Sequence, residues 1–108
     1  MLPGMFNINF IIMKITVKSV GLTPHAPLEE HVEKKLSKLE TFYDKIIDCT
    51  VFLKVDNASD KNNKTAEIIL SVPGDDIVVK KTCASFEESL DLCADAAKKL
   101  LIKKKELS

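Results

Sequence analysis

Arginine is absent: all 16 basic side chains among the 108 residues are lysine. Lysine meets phosphate as a mobile point charge and lacks the planar fork that reads a guanine edge. A nucleic-acid partner would therefore be held by its backbone and shape rather than by base sequence. Tryptophan is absent as well, and aromatics make up 6%. Without an RNP-type aromatic run, and with a strand order unlike an RRM, recognition of a single strand through aromatic stacking is not expected. Three glycines are too few for a phosphate-cradling loop. The three cysteines, Cys49, Cys83 and Cys93, form no CxxC pair and are odd in number. They argue for reduced, partly buried thiols in a cytoplasmic protein and against a disulfide framework or a zinc site. No apolar run approaches the ~20 residues of a membrane span. Neither charge sign dominates, since 16 acidic residues cancel the lysines, so a binding argument rests on where the charges sit.

What is present is ordinary for one globular domain: 45% apolar and 30% charged residues. Residues 1–12 are apolar but lack the basic start and cleavage site of a signal peptide, and they are expected to be a loose N-terminal extension. Residues 13–108 are expected to form a single domain. Its first strand is expected from Lys14 to Val20, followed by a breaker-rich turn at 21–27 in which Pro27 suits a first helical turn. Leu28, Val32, Leu36, Leu39, Tyr43 and Ile46 then recur at three- and four-residue steps, predicting an amphipathic helix to about residue 45. Its charges are sorted. Lys34, Lys38 and Lys45 lie on one flank with Lys35 at the border, and Glu29, Glu33, Glu40 and Asp44 lie on the other. Alternation at 48–55, 66–72 and 76–82 predicts three more strands, with a polar loop at 57–64 and a Pro73-Gly74-Asp75 turn. Ser85 with Glu88 three residues on opens a second helix, whose inner face is expected to carry Phe86, Leu90, Cys93, Ala97, Leu100 and Leu101. The order β-α-β-β-β-α implies an α+β fold, a four-stranded sheet with two helices packed on one face. The opposite face would then show a small apolar cluster of Phe52, Ile69 and Val78.

Catalysis has little to stand on. His25 and His31 are six apart and share no helix face at metal-ligand spacing; each is expected to be solvated. The acidic neighbours Glu29-Glu30, Asp75-Asp76 and Glu87-Glu88 point apart on helix or turn. The expectation is a non-enzyme with no catalytic residues, no metal and no cofactor. What remains is a helix-face reader of structured RNA, with Lys34, Lys35 and Lys38 on the first helix and Lys99, Lys103 and Lys104 on the second as its RNA-binding set. The competing reading keeps the fold and makes the chain a protein-interaction module acting through the open sheet face.

The segment MKITVKSVGL followed by LEEHVEKKLSKLETFYDKI resembles the ribosome hibernation promoting factors, also called ribosome-associated inhibitors, some of which carry the name sigma-factor modulation protein. VDNASDKNNKTAEIILSVPGDDIVVKK resembles that family's strand meander, and SFEESLD its entry into the second helix. The resemblance covers residues 13–107, with KKLSKLETFYDKI its most specific piece. It implies a double-stranded-RNA-binding-like fold and binding to the small ribosomal subunit and its rRNA in the mRNA and tRNA channel. Occlusion there would silence idle ribosomes in stationary phase or stress. It carries basic positions onto Lys35, Lys38, Lys99 and Lys103, and departs at Asp95-Ala96-Ala97, where many members have a lysine. The end at Ser108 is expected to mark a short form, without the extra C-terminal domain of long members or the acidic tail of inhibitor-type short ones. A monomer off the ribosome is expected, with no membrane and no small-molecule substrate as partners.

Overall fold

The computed structural model describes residues 13–56 and 59–107; the expected extension at 1–12 and the start of the 57–64 loop lie outside the described residues. Strands β1 (Lys14–Val20), β2 (Asp48–Val55), β3 (Lys64–Ser71) and β4 (Ile77–Cys83) form one sheet in the order β1-β2-β3-β4. β1 runs parallel to β2, which requires the long crossover that α1 (Ala26–Ser37) supplies. β2, β3 and β4 are an antiparallel meander, and α2 (Phe86–Leu107) follows. The α+β architecture is therefore the expected one, with both helices on the same face.

Alternation decides which face. Cys49, Val51 and Leu53 of β2, Ala66, Ile68 and Leu70 of β3 and Val79 of β4 are buried beneath the helices. α2 covers β3 and β4, while α1 lies over β1 and against α2. Leu28, Val32 and Leu36 descend from α1, and Leu90, Cys93, Ala97 and Leu101 from α2. A fully buried leucine of this kind contributes roughly 1.5–3 kcal/mol of transfer free energy. At the β3–β4 turn Gly74 takes φ 87, the left-handed conformation that a Pro-Gly turn asks of its second residue.

Two expectations need correction. The first helix does not continue to residue 45: α1 stops at Ser37 and a 3-10 turn occupies Lys38–Thr41. The hydroxyls of Ser37 and Thr41 donate back to the carbonyls of Lys34 and Lys38, at 3.4 and 2.6 Å, and such back-bonding competes with the i→i−4 ladder. The apolar stripe survives the change, because Leu39, Tyr43 and Ile46 are still buried. On α2, Leu100 is 44% exposed and only its neighbour Leu101 enters the core. Leu100 instead lines a surface hollow with Tyr43, Ile77 and Leu107.

Candidate nucleic-acid interface

α1 begins on a histidine. His25 has extended backbone, and its Nδ1 accepts the Leu28 backbone N–H at 3.0 Å, so the ring serves as N-cap and is not simply solvated. From this start the basic flank of α1 is turned toward α2. Lys35, Lys38, Leu39 and Phe42 on that side face Ala94, Asp95 and Lys98 across a groove of about 140 Å³. Lys98 Nζ stands 4.7 Å from the centroid of the Phe42 ring, a cation–π contact that holds the ammonium at the groove.

His31 is likewise not free in solvent. Its Nε2 lies 2.7 Å from Asp91 Oδ1, and Lys35 Nζ lies 3.6 Å from the same oxygen. The Asp91 carboxylate thus ties α1 to α2 and partly neutralises Lys35. Asp95, one turn further along α2, adds a second carboxylate to the groove. The groove is basic but tempered.

The six lysines read from the sequence do not share one surface. Lys35 and Lys38 line the interhelical groove. Lys103 and Lys104 lie on the other flank of α2, in a larger hollow of about 740 Å³ with Lys45, Asp75 and Asp76. Lys34 and Lys99 are exposed on the helix surfaces. Lys98 and Phe42 were missed by sequence reasoning; their only signal was a lysine at the right turn of α2 and an aromatic just past α1, and nothing local says that they meet.

The thiols are structural. Cys49 and Cys93 are buried, and Cys83 is half-buried; all three are free. Burial, with the Asp48 charge second, pushes the Cys49 thiol up to about 12. Burial likewise pushes Cys93 up to about 11. Neither offers a nucleophile near neutral pH. Among the described residues no group of three or more His, Cys, Asp or Glu could hold a metal ion, and no helix is long and apolar enough to cross a membrane.

Fold and site together define a class: a small α+β module that presents a lysine-lined groove between two helices laid on one face of a four-stranded sheet. The chain belongs to the family described as Sigma 54 modulation protein / S30EA ribosomal protein, which it matches over residues 15–107. It is 28% identical over 94 residues to a ribosome hibernation promoting factor of Pseudomonas putida, covering 87% of this chain and 88% of that one. It is 32% identical over 93 residues to a ribosome hibernation promotion factor of Deinococcus radiodurans, covering 85% of this chain and 48% of the relative. In fold it is similar to a ribosomal subunit interface protein from Coxiella burnetii, at a TM-score of 0.76 and 22% identity, over 87% of this chain and 99% of that one. The N-terminal domain of Thermus thermophilus Protein Y gives 0.71 at 22% identity, over 86% and 98%.

Proposed function

We propose that this protein binds the small ribosomal subunit through its rRNA and silences idle ribosomes by occupying the channel where mRNA and tRNA would lie. Family membership and the names of the relatives support a ribosomal partner. The observation that carries the contact is the interhelical groove, where Lys35, Lys38 and Lys98 converge around Phe42. Lysines on two rigid helices suit phosphates at a defined spacing, and the absence of arginine suits backbone contact over base reading. Lys34 and Lys99 extend the basic surface along the exposed sides of the two helices, and Lys103 and Lys104 add a second cluster beyond α2. The mechanism is steric: a bound protein fills space that the substrates of translation need, and no bond is made or broken. The family is one of ribosome-associated factors and is not known as a family of enzymes.

Co-sedimentation with purified small subunits at low salt tests this reading. The wild-type chain is expected to pellet with the subunits and to be released as salt rises, and the double variant Lys35→Glu, Lys38→Glu to lose more than tenfold in affinity. Footprinting of the rRNA then tests the place. Protection scattered away from the decoding channel, or double-variant binding equal to wild type, would sink the proposed mechanism.

A further inference from the structure

The two histidines use their rings in opposite senses. At the start of α1 the Nδ1 of His25 accepts the Leu28 backbone N–H at 3.0 Å, so a proton on that nitrogen removes the cap. His31 is engaged through its other nitrogen, Nε2, which lies 2.7 Å from Asp91 Oδ1 on α2. A carboxylate oxygen only accepts, so Nε2 carries the hydrogen of that bond. Nδ1 of His31 has no partner among the described residues, and the side chain is 26% exposed. It is open to a second proton without loss of the Asp91 contact. Imidazole is the side chain that gains such a proton between pH 8 and pH 5. Lys35 Nζ competes for the same Asp91 oxygen at 3.6 Å. The other charges near this pair in the helices are Glu87, Glu88 and Asp95, one turn to either side of Asp91, and Lys34 on α1. Among the described residues the sheet buries no charged side chain beneath the helices.

We propose that His31 is a proton-dependent positioning residue for the interhelical groove, releasing Lys35 to an RNA phosphate when its ring is charged. With the ring neutral, Asp91 is a full carboxylate that Lys35 helps to balance. Lys35, Lys38 and Lys98 then stand against Asp91 and Asp95, three ammonium groups to two carboxylates. A charged His31 satisfies Asp91 at the shorter distance, frees Lys35 and raises the excess from one positive charge to two. By linkage, RNA bound in the groove favours the protonated ring, so affinity rises as pH falls through the imidazole range. No rearrangement is needed: the hydrogen bond to Asp91 is made in both states, and only the charge behind it changes. This role rests on the proposed groove contact with rRNA, and it adds a condition under which that contact tightens.

Co-sedimentation of the full chain with purified small subunits, compared at about pH 8 and about pH 6, tests this role across the range where imidazole titrates. Wild-type affinity is expected to rise about two- to fivefold at the lower pH, the range of a half-exposed charge pair. The salt dependence is expected to steepen over the same step, because a freed ammonium neutralises a further phosphate. His31→Gln keeps an N–H for Asp91 but takes up no proton, and it is expected to lose both the rise and the steepening. His25→Asn, whose side chain also caps a helix, is expected to keep the wild-type response. An equal pH response in wild type and His31→Gln would overturn the assignment, as would loss of the response in His25→Asn. The double variant Lys35→Glu, Lys38→Glu tells the two possible failures apart. If it binds as well as wild type, the groove reading fails and the role of His31 with it. If it loses affinity at both pH values while wild type shows no pH response, the role of His31 fails alone.

Discussion

Asp91 is the residue on which the charge of the groove turns. Its carboxylate holds His31 at 2.7 Å and Lys35 at 3.6 Å, so Lys35 is not fully available to a phosphate. Asp91→Asn preserves an oxygen for the His31 contact and removes the charge. Half-exposed pairs of this kind are worth roughly 0.2–1 kcal/mol, so a gain of about two- to fivefold in small-subunit affinity is expected, read by co-sedimentation. The buried thiols make a different prediction. In the unfolded chain they ionise near their ordinary value of 9.0, whereas Cys49 and Cys93 in the fold hold their protons to about 12 and 11. Above pH 9 the folded state therefore binds more protons than the unfolded one, and stability falls as pH rises toward 11. At pH 10 the loss is ~1.4 kcal/mol per thiol, measurable as a lower urea midpoint than at pH 8 and reduced in a Cys49→Ala, Cys93→Ala protein.

At the scale of elements, the two helices are started by different devices. Ser85 Oγ accepts the Glu88 backbone N–H at 3.1 Å, the half of the expected capping box that fixes where α2 begins. Ser85→Ala is expected to cost about 1 kcal/mol, lowering the melting temperature by about 4–8 °C for a domain of this size. This cap was legible in the sequence because Ser and Glu at that spacing act on their own turn. The His25 cap was not, since imidazole is an uncommon cap and its role needs the ring to fold back onto the Leu28 amide. The early end of α1 was illegible for a related reason. An apolar stripe at three- and four-residue steps is satisfied by an α-helix and, over a short stretch, by a 3-10 turn followed by an irregular segment. Leu39, Tyr43 and Ile46 report burial and not backbone geometry.

For the whole molecule, the sorted charges of α1 gain an account. Its basic flank faces α2, where Asp91 and Asp95 receive it. Its acidic flank, with Glu29, Glu30 and Glu33, lies over Ile15 and Val17 of β1. Among the described residues β1 pairs with β2 alone, and carboxylates beside an edge strand deter strand-to-strand association. Glu40 takes part directly, accepting the Met13 backbone N–H at 2.9 Å. A salt titration tests the proposed binding at this scale. With six lysine–phosphate contacts, log affinity for small subunits is expected to fall against log salt with a slope of roughly −4 to −5, and each lysine replaced by alanine is expected to make the slope shallower by somewhat under one.

The order of elements, the buried face of each strand and the start of α2 were determined by the sequence itself, because period, breaker and cap act within a few residues of one another. The family was legible from the order and spacing of the same segments. Tertiary structure alone decided which lysines stand together. Lys35 and Lys38 meet Lys98 and Phe42, while Lys103 and Lys104 turn to the opposite flank of α2. It also decided that His31 joins Asp91 across sixty residues of chain, and that Phe52 sits between Lys18 and Glu67. The physical reason is common to all three. A side chain's period along its own element fixes the face it takes, but the partner on that face is set by how two elements are rotated and registered against each other. That depends on the packing of the whole core, on residues far away in the chain.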